Sequence, residues 1–382
     1  SLWVSLDAYQ LVNYTLSTWT GFEQRTGTGR ILPGATIAAA NVVLMVVPLG
    51  MAWQHEEWHK AVLSMRSIES RVERNRVAGV LDDDLARLKR RHPAELVRHQ
   101  TAGIEGGYEF VTTLEKEQFF RHLRTWSVPT IWSFYGMNAF YMQLCASKLS
   151  DDDAEYFKSE SNPMQRDTIG ADCTGWTYDL FHPDEPYSAR GPHPSGNGVR
   201  RYRTWSELGS RERRYLWNQR NLALLNFLDP MLLGFDAFEL GDMRFNAHVR
   251  HLPTAFGHEV SLDGFFELRK WKLFLSAQQF FNYQHWFPGV AAQLYRYPFP
   301  IAADRSLSVS ATGNLWLQPE GQRFFTSRPE LGGMLRARLD LSGPRTLEPF
   351  MEVDAKTSGW VAGIGALEPS MSLRLGVGLP LY

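Results

Sequence analysis

The sequence predicts an α+β chain in which a helical half, residues 1–241, precedes an antiparallel meander of about eight strands, residues 242–382. Three observations set that division. Residues 31–54 and 125–147 carry no charged side chain, and each run is long and apolar enough for a buried or membrane-contacting helix. Between them, residues 60–124 are densely charged and broken at Gly79 and Pro93, the pattern of solvated helices. From about Asp242 the apolar period falls from helical spacing to two.

The first uncharged run is rich in Ala, Val, Leu and Met over residues 35–53 and could span a bilayer. Asn41 and Pro48 interrupt it, and Pro48 is expected to bend any continuous helix about three turns before His59. Further on, Asp82, Asp83 and Asp84 precede an apolar-spaced segment that ends in Lys89, Arg90 and Arg91, so acidic and basic ends match the helix dipole. The second uncharged run carries Trp126, Trp132, Tyr135, Phe140 and Tyr141. Pro129 and Gln143 weaken it as a span, as Asn41 and Pro48 weaken the first, so both are read as buried or membrane-dipping helices. Residues 150–209 are rich in Pro, Gly, Asp, Ser and Asn and read as a long ordered loop region. A helix over 205–228 is expected to stop at Asp229-Pro230.

Strand alternation is clearest near the end of the chain. Met371, Leu373, Leu375, Val377, Leu379 and Leu381 alternate with polar or small residues, and Leu335, Ala337, Leu339 and Leu341 alternate with Met334, Arg336, Arg338 and Asp340. Further strands are expected near 243–252, 258–268, 271–281, 286–297, 305–317 and 347–358, which makes an up-and-down meander. Their polar face holds Glu267, Arg336, Arg338, Asp340, Glu352, Asp354 and Arg374. Such mixed charge could pair inside a barrel lumen while the aliphatic face meets lipid, and eight strands is the smallest common membrane barrel. The Leu381-Tyr382 end resembles the aromatic C-terminal strand of bacterial outer-membrane barrels, which implies a membrane β-barrel, with lipid as a partner. A half-exposed sheet packed on the helical half is the other reading.

Composition narrows the function classes. A formal net charge of −1 and a pI near 6.8 leave no global basic field, which argues against nucleic acid as a main partner. Cys145 and Cys173 are the only cysteines, so a disulfide framework or a cysteine-based metal cluster is excluded, and a single bridge between them stays open. The 13 Trp and 14 Tyr suit a chain that meets a membrane interface.

The chemistry concentrates in His55-Glu56-Glu57-Trp58-His59. On a helix, His55 and His59 project from one face, where both imidazoles can ligate one divalent ion, and Glu56 lies beside them as a general base toward an attacking water. The pattern resembles the HExxH signature of the zincin metallopeptidases, which implies His55 and His59 as zinc ligands and Glu56 as the catalytic residue. A catalytic zinc site needs a third protein ligand. Glu105 is the first candidate, because Gly103, Gly106 and Gly107 beside it let one helix approach another closely. It is similar to the downstream glutamate of the gluzincins, with Glu109 and His99 as alternatives. Asn226-Phe227-Leu228-Asp229-Pro230 looks loosely like the motif of site-2 intramembrane proteases, which would make Asp229 or Asp236 the ligand instead.

These readings converge on a membrane-associated zinc-dependent hydrolase of the bacterial cell envelope, a metallopeptidase acting on peptide or protein, placed at the outer membrane ahead of the inner. The alternatives are a non-catalytic outer-membrane barrel serving as scaffold or channel, and a site-2-type intramembrane protease.

Overall fold

The computed structural model describes residues 2–47, 49–73, 75–121, 127–152, 158–302, 305–342 and 347–378. Pro48, Trp126, Leu379, Leu381 and Tyr382, on which several expectations fall, lie outside the described residues.

The first uncharged run forms two helices, α2 (Ile31–Leu44) and α3 (Met51–Ser64), after α1 (Leu2–Thr20). Neither reaches bilayer length, and among the described residues no helix is long and apolar enough to cross a membrane. Asn41 is the reason α2 is anchored within the protein. Its side-chain amide donates to Asn13 Oδ1 at 2.7 Å, and its carbonyl oxygen accepts from the Thr130 hydroxyl at 2.5 Å. The three buried polar groups thus satisfy one another and tie α1 and α2 to α6 (Val128–Cys145).

The charged middle of the sequence is less solvated than its composition suggests. A short hairpin, β1 (Arg71–Glu73) and β2 (Arg76–Ala78), leads to α4 (Asp82–Arg91), which has the expected acidic start and basic end. Next, α5 (Pro93–Arg121) runs through the centre of the molecule and is buried along nearly its whole length. Most of its buried charges are paired with an opposite charge, and Glu115 hydrogen-bonds to a neutral hydroxyl. Glu95 takes Arg66 at 2.6 Å, Arg98 takes Glu105 at 2.6 Å, and Glu115 accepts from the Tyr135 hydroxyl at 3.0 Å. The 150–209 region is corrected too: it contains α7 (Asp172–Phe181), buried on most of its surface, besides short 3-10 turns. The expected 205–228 helix is shorter, α8 (Ser210–Leu222), flanked by 3-10 turns and ending before Asp229-Pro230.

The sheet begins slightly earlier than residue 242, with the short β3 (Phe238–Leu240). It continues as β4 (Met243–Thr254), β5 (Gly257–Leu268), β6 (Trp271–Phe281), β7 (Trp286–Ala302), β8 (Arg305–Pro319), β9 (Pro329–Ser342), β10 (Glu348–Lys356) and β11 (Ser370–Gly378). Every strand pairs antiparallel with its sequence neighbours, in the order β11 to β3. The first and last strands do not meet, so the nine strands form an open sheet and not the closed barrel expected from the pattern. A helical layer lies against the face that a barrel would have turned to its lumen. The β4–β5 turn requires Gly257, whose φ of 147° and position 2.1 Å from the Phe281 carbonyl oxygen, measured to an added Cβ, leave no room for a side chain.

The two sheet faces are inverted relative to an ordinary half-buried sheet. The inner face is mixed, with Phe265, Phe274, Phe280 and Phe287 packed in the core beside buried Glu259, Asp263, Asp340, Glu352 and Asp354, and Arg250–Asp263 (2.9 Å), Arg338–Asp340 (2.8 Å) and Arg374–Glu352 (2.9 Å) neutralise much of its charge. The outer face is aliphatic and bare. Met371 is 82 % exposed, Leu335 and Leu331 74 %, Leu375 72 % and Leu315 63 %. The main core runs through both halves, from Tyr9 and Phe134 through Trp176 and Phe265 to Trp360. Cys145 and Cys173 are buried free thiols within it.

Candidate metal centre

The site starts from how α3 and α5 meet. Three glycines on α5 remove the side chains that would hold its neighbours away. An added Cβ on Gly103 would lie 2.3 Å from His55 Nε2, one on Gly106 2.5 Å from the Trp58 ring, and one on Gly107 2.9 Å from Asn138. The glycine cluster therefore seats the HExxH helix directly. It does not present Glu105 to an ion.

His55 opens the second turn of α3 and keeps 20 % of its side-chain surface exposed, while His59, one turn later, is buried. Their rings stand 4.7 Å apart, on the same face of α3. The third group is Asp172, the first residue of α7. Its Oδ2 lies 3.0 Å from His55 Nε2 and 3.3 Å from His59 Nε2. Two donors bound about 2.0–2.1 Å from one ion at a tetrahedral angle stand roughly 3.3–3.4 Å apart, so this spacing suits ligands of a shared ion. His55, His59 and Asp172 form a group that could hold a metal ion.

The surroundings prepare these atoms for ligation. His59 Nδ1 is 2.5 Å from the His99 carbonyl oxygen, which fixes the ring with its proton there and leaves Nε2 as a lone pair. That Nε2 is buried and has no hydrogen-bond partner among the described residues. Tyr141 adds a hydroxyl that accepts from the Asp172 backbone N–H at 3.1 Å, keeping its own proton for another acceptor. Without a metal, burial opposes charge on His59, but the Asp172 carboxylate outweighs it and lifts the imidazole to about 9. Burial would raise Asp172, yet His59 and His55 hold its carboxyl well below the usual range. Glu56 is half-buried. Burial raises its carboxyl well above the ordinary value, opposed by His59 and reinforced by Asp167 and Asp172.

The other expected ligands lie elsewhere. Glu105 is fully buried, paired with Arg98 at 2.6 Å, and accepts from Trp360 Nε1 and the Gly363 N–H at 3.0 Å each. Its carboxylate therefore faces the loop between β10 and β11. His99 spends both ring nitrogens on the His59 carbonyl and the Thr168 hydroxyl, and Glu109 borders Gly363. Asp236 accepts from Gln118, and Asp229 approaches His248 on β4, so neither completes the His55–His59 pair. In comparisons with known proteins, no protein-family model, curated protein or solved structure matches this chain. Geometry alone carries the site.

Asp172 was missed because residues 150–209 read as loop. A signal was present: Cys173, Trp176 and Leu180 recur at helical spacing directly after an acidic residue, the mark of a helix N-terminus.

Proposed function

We propose that the chain is a membrane-associated, zinc-dependent hydrolase, a metallopeptidase first, with His55, His59 and Asp172 as ligands and Glu56 as general base. The observation that carries this reading is the convergence of the Asp172 carboxylate on the Nε2 atoms of two histidines on one helix face, in a buried setting. Two imidazoles and one carboxylate are the donor set of an open catalytic zinc site. A divalent ion held there supplies Lewis acidity toward water and toward a substrate carbonyl.

The residues of the chain supply the proton handling. Glu56, its carboxyl raised by burial, holds a proton more readily than a surface glutamate, which suits a group that takes a proton from the attacking water and returns it to the leaving amine. Tyr141 is placed to donate its hydroxyl proton to an oxygen that gains negative charge beside Asp172. The partly exposed edge of His55 is where substrate would reach the site.

The bare aliphatic face of the sheet supports a seat on a lipid surface, within the bacterial cell envelope and at the outer membrane ahead of the inner. The same face is what favours the second reading, a non-catalytic membrane scaffold. Metal analysis with a turnover assay separates the two. A hydrolase binds about one zinc per chain at this site, loses it in His55→Ala and Asp172→Asn, and keeps it in Glu56→Gln while peptide turnover falls ~10²–10⁴-fold. Zinc content unchanged in the His55 and Asp172 variants would overturn the assignment.

A further inference from the structure

A second group of ligating side chains lies at the junction of the helices and the sheet. Glu115 projects from α5, Asp229 precedes the 3-10 turn at Pro230–Leu233, and His248 comes from β4. All three side chains are essentially inaccessible to solvent. Each carboxylate is pinned by one oxygen and free at the other. Glu115 Oε1 accepts from the Tyr135 hydroxyl at 3.0 Å and Asp229 Oδ1 from the Met231 N–H at 2.9 Å. Glu115 Oε2, Asp229 Oδ2 and both ring nitrogens of His248 have no hydrogen-bond partner among the described residues.

The separations are too long for hydrogen bonds. His248 Nε2 lies 3.7 Å from Glu115 Oε2, and His248 Nδ1 lies 3.6 Å from Asp229 Oδ1. Each residue can offer one ligand atom with all three within 4.8 Å of one another, so a contraction of about 1 Å brings one ring nitrogen and the two carboxylates to the roughly 3.3–3.6 Å spacing of donors about 2.0–2.1 Å from one ion. Asp263 on β5 has Oδ2 3.8 Å from His248 Nε2 but is held by Arg250 at 2.9 Å, which leaves its charge already compensated. Two carboxylates and a neutral imidazole carry a charge of −2, and burying that charge uncompensated is strongly unfavourable. A divalent cation cancels it.

We propose that Glu115, Asp229 and His248 form a second, fully buried metal site, taking zinc or a similar divalent ion, that fastens the helical half to the sheet. The site is structural. It lies apart from Glu56 and lacks the partly exposed edge that His55 gives the first site. The competing way to neutralise the cluster is with protons, one on His248 and one shared between the carboxyls, and that arrangement binds no metal.

The test is zinc content of the full-length, zinc-dialysed protein together with thermal melting. In a His55→Ala/His59→Ala background, about one zinc per chain should remain, and Glu115→Gln or His248→Gln should remove it. In the same background, strong chelation should lower the melting temperature by several degrees, reversibly on adding zinc. This melting shift needs no variant of the second cluster, so it remains decisive if those variants fail to fold. No zinc in the double variant, or a melting temperature indifferent to chelation, overturns the proposal and leaves the protonated cluster. Failure of the first site has a different signature: zinc content that His55→Ala/His59→Ala does not change, yet Glu115→Gln abolishes.

Discussion

Asp172 and Glu105 are both buried acids, and their partners separate them. Asp172 faces two imidazoles, whereas Glu105 faces a guanidinium and an indole N–H. Glu105→Gln should therefore leave zinc binding at His55 and His59 intact while destabilising the fold by ~3–5 kcal/mol, because Arg98 would remain buried without its counter-charge. Denaturant unfolding and metal analysis on the same preparation check both halves of that expectation. A second residue-scale prediction concerns pH. His258 on β5 is buried against the Phe281 ring at 4.8 Å, and burial lowers its imidazole from 6.5 to about 4. The unfolded chain then binds more protons than the folded one in that interval, so His258 contributes stability that is complete above 6.5 and lost as pH falls toward 4. His258→Gln should flatten the acid limb of the stability profile between those values. An unchanged slope would show that His258 does not titrate there.

At the scale of elements, the junction of α3 and α5 is the most sensitive to a single methyl group. Gly103→Ala would push a Cβ into the His55 imidazole and Gly106→Ala into Trp58, both on a helix with no room to retreat. Each should cost ~1–3 kcal/mol, and Gly103→Ala alone should also weaken zinc retention, since only His55 is a candidate ligand. A thermal melt with metal analysis distinguishes them. Much of this arrangement was legible in the chain. The five-residue motif located the helix, and the adjacent glycines announced a close approach, although their purpose was to admit the His55 and Trp58 rings. What stayed hidden was tertiary. Nothing in local spacing tells that α5, with its Glu95, Arg98, Glu105 and Glu115, is central, because paired charges are compositionally identical to solvated ones. Likewise the period of two revealed the strands and which residues share a face. It could not reveal that nine strands remain open, since closure depends on what fills the concave side.

For the whole molecule, the inverted sheet makes a prediction that local structure does not. Leu335, Leu373 and Leu375 are well exposed, so replacing them together with lysine should change folding stability little. The same triple variant should lose flotation with anionic or zwitterionic vesicles and remain dispersed at lower detergent. Flotation equal to that of the unaltered protein would remove the sheet as the lipid-facing surface. A similar substitution on the inner face, at Asp340 or Glu352, should instead destabilise the protein strongly, because it places a buried lysine beside Arg338 and Arg296 or beside Arg374 and removes one of the carboxylates they pair with.

The open order of the sheet has one more consequence, for depth of immersion. Among the described residues, β3 and β11 each pair on one side only, so each presents a row of amide and carbonyl groups outward. Hydrocarbon cannot solvate such a row, at several kcal/mol for each unmet group. Water or headgroups can. On the proposed lipid seat, the aliphatic face would rest on a bilayer like a hull on its waterline, wetted along both rims.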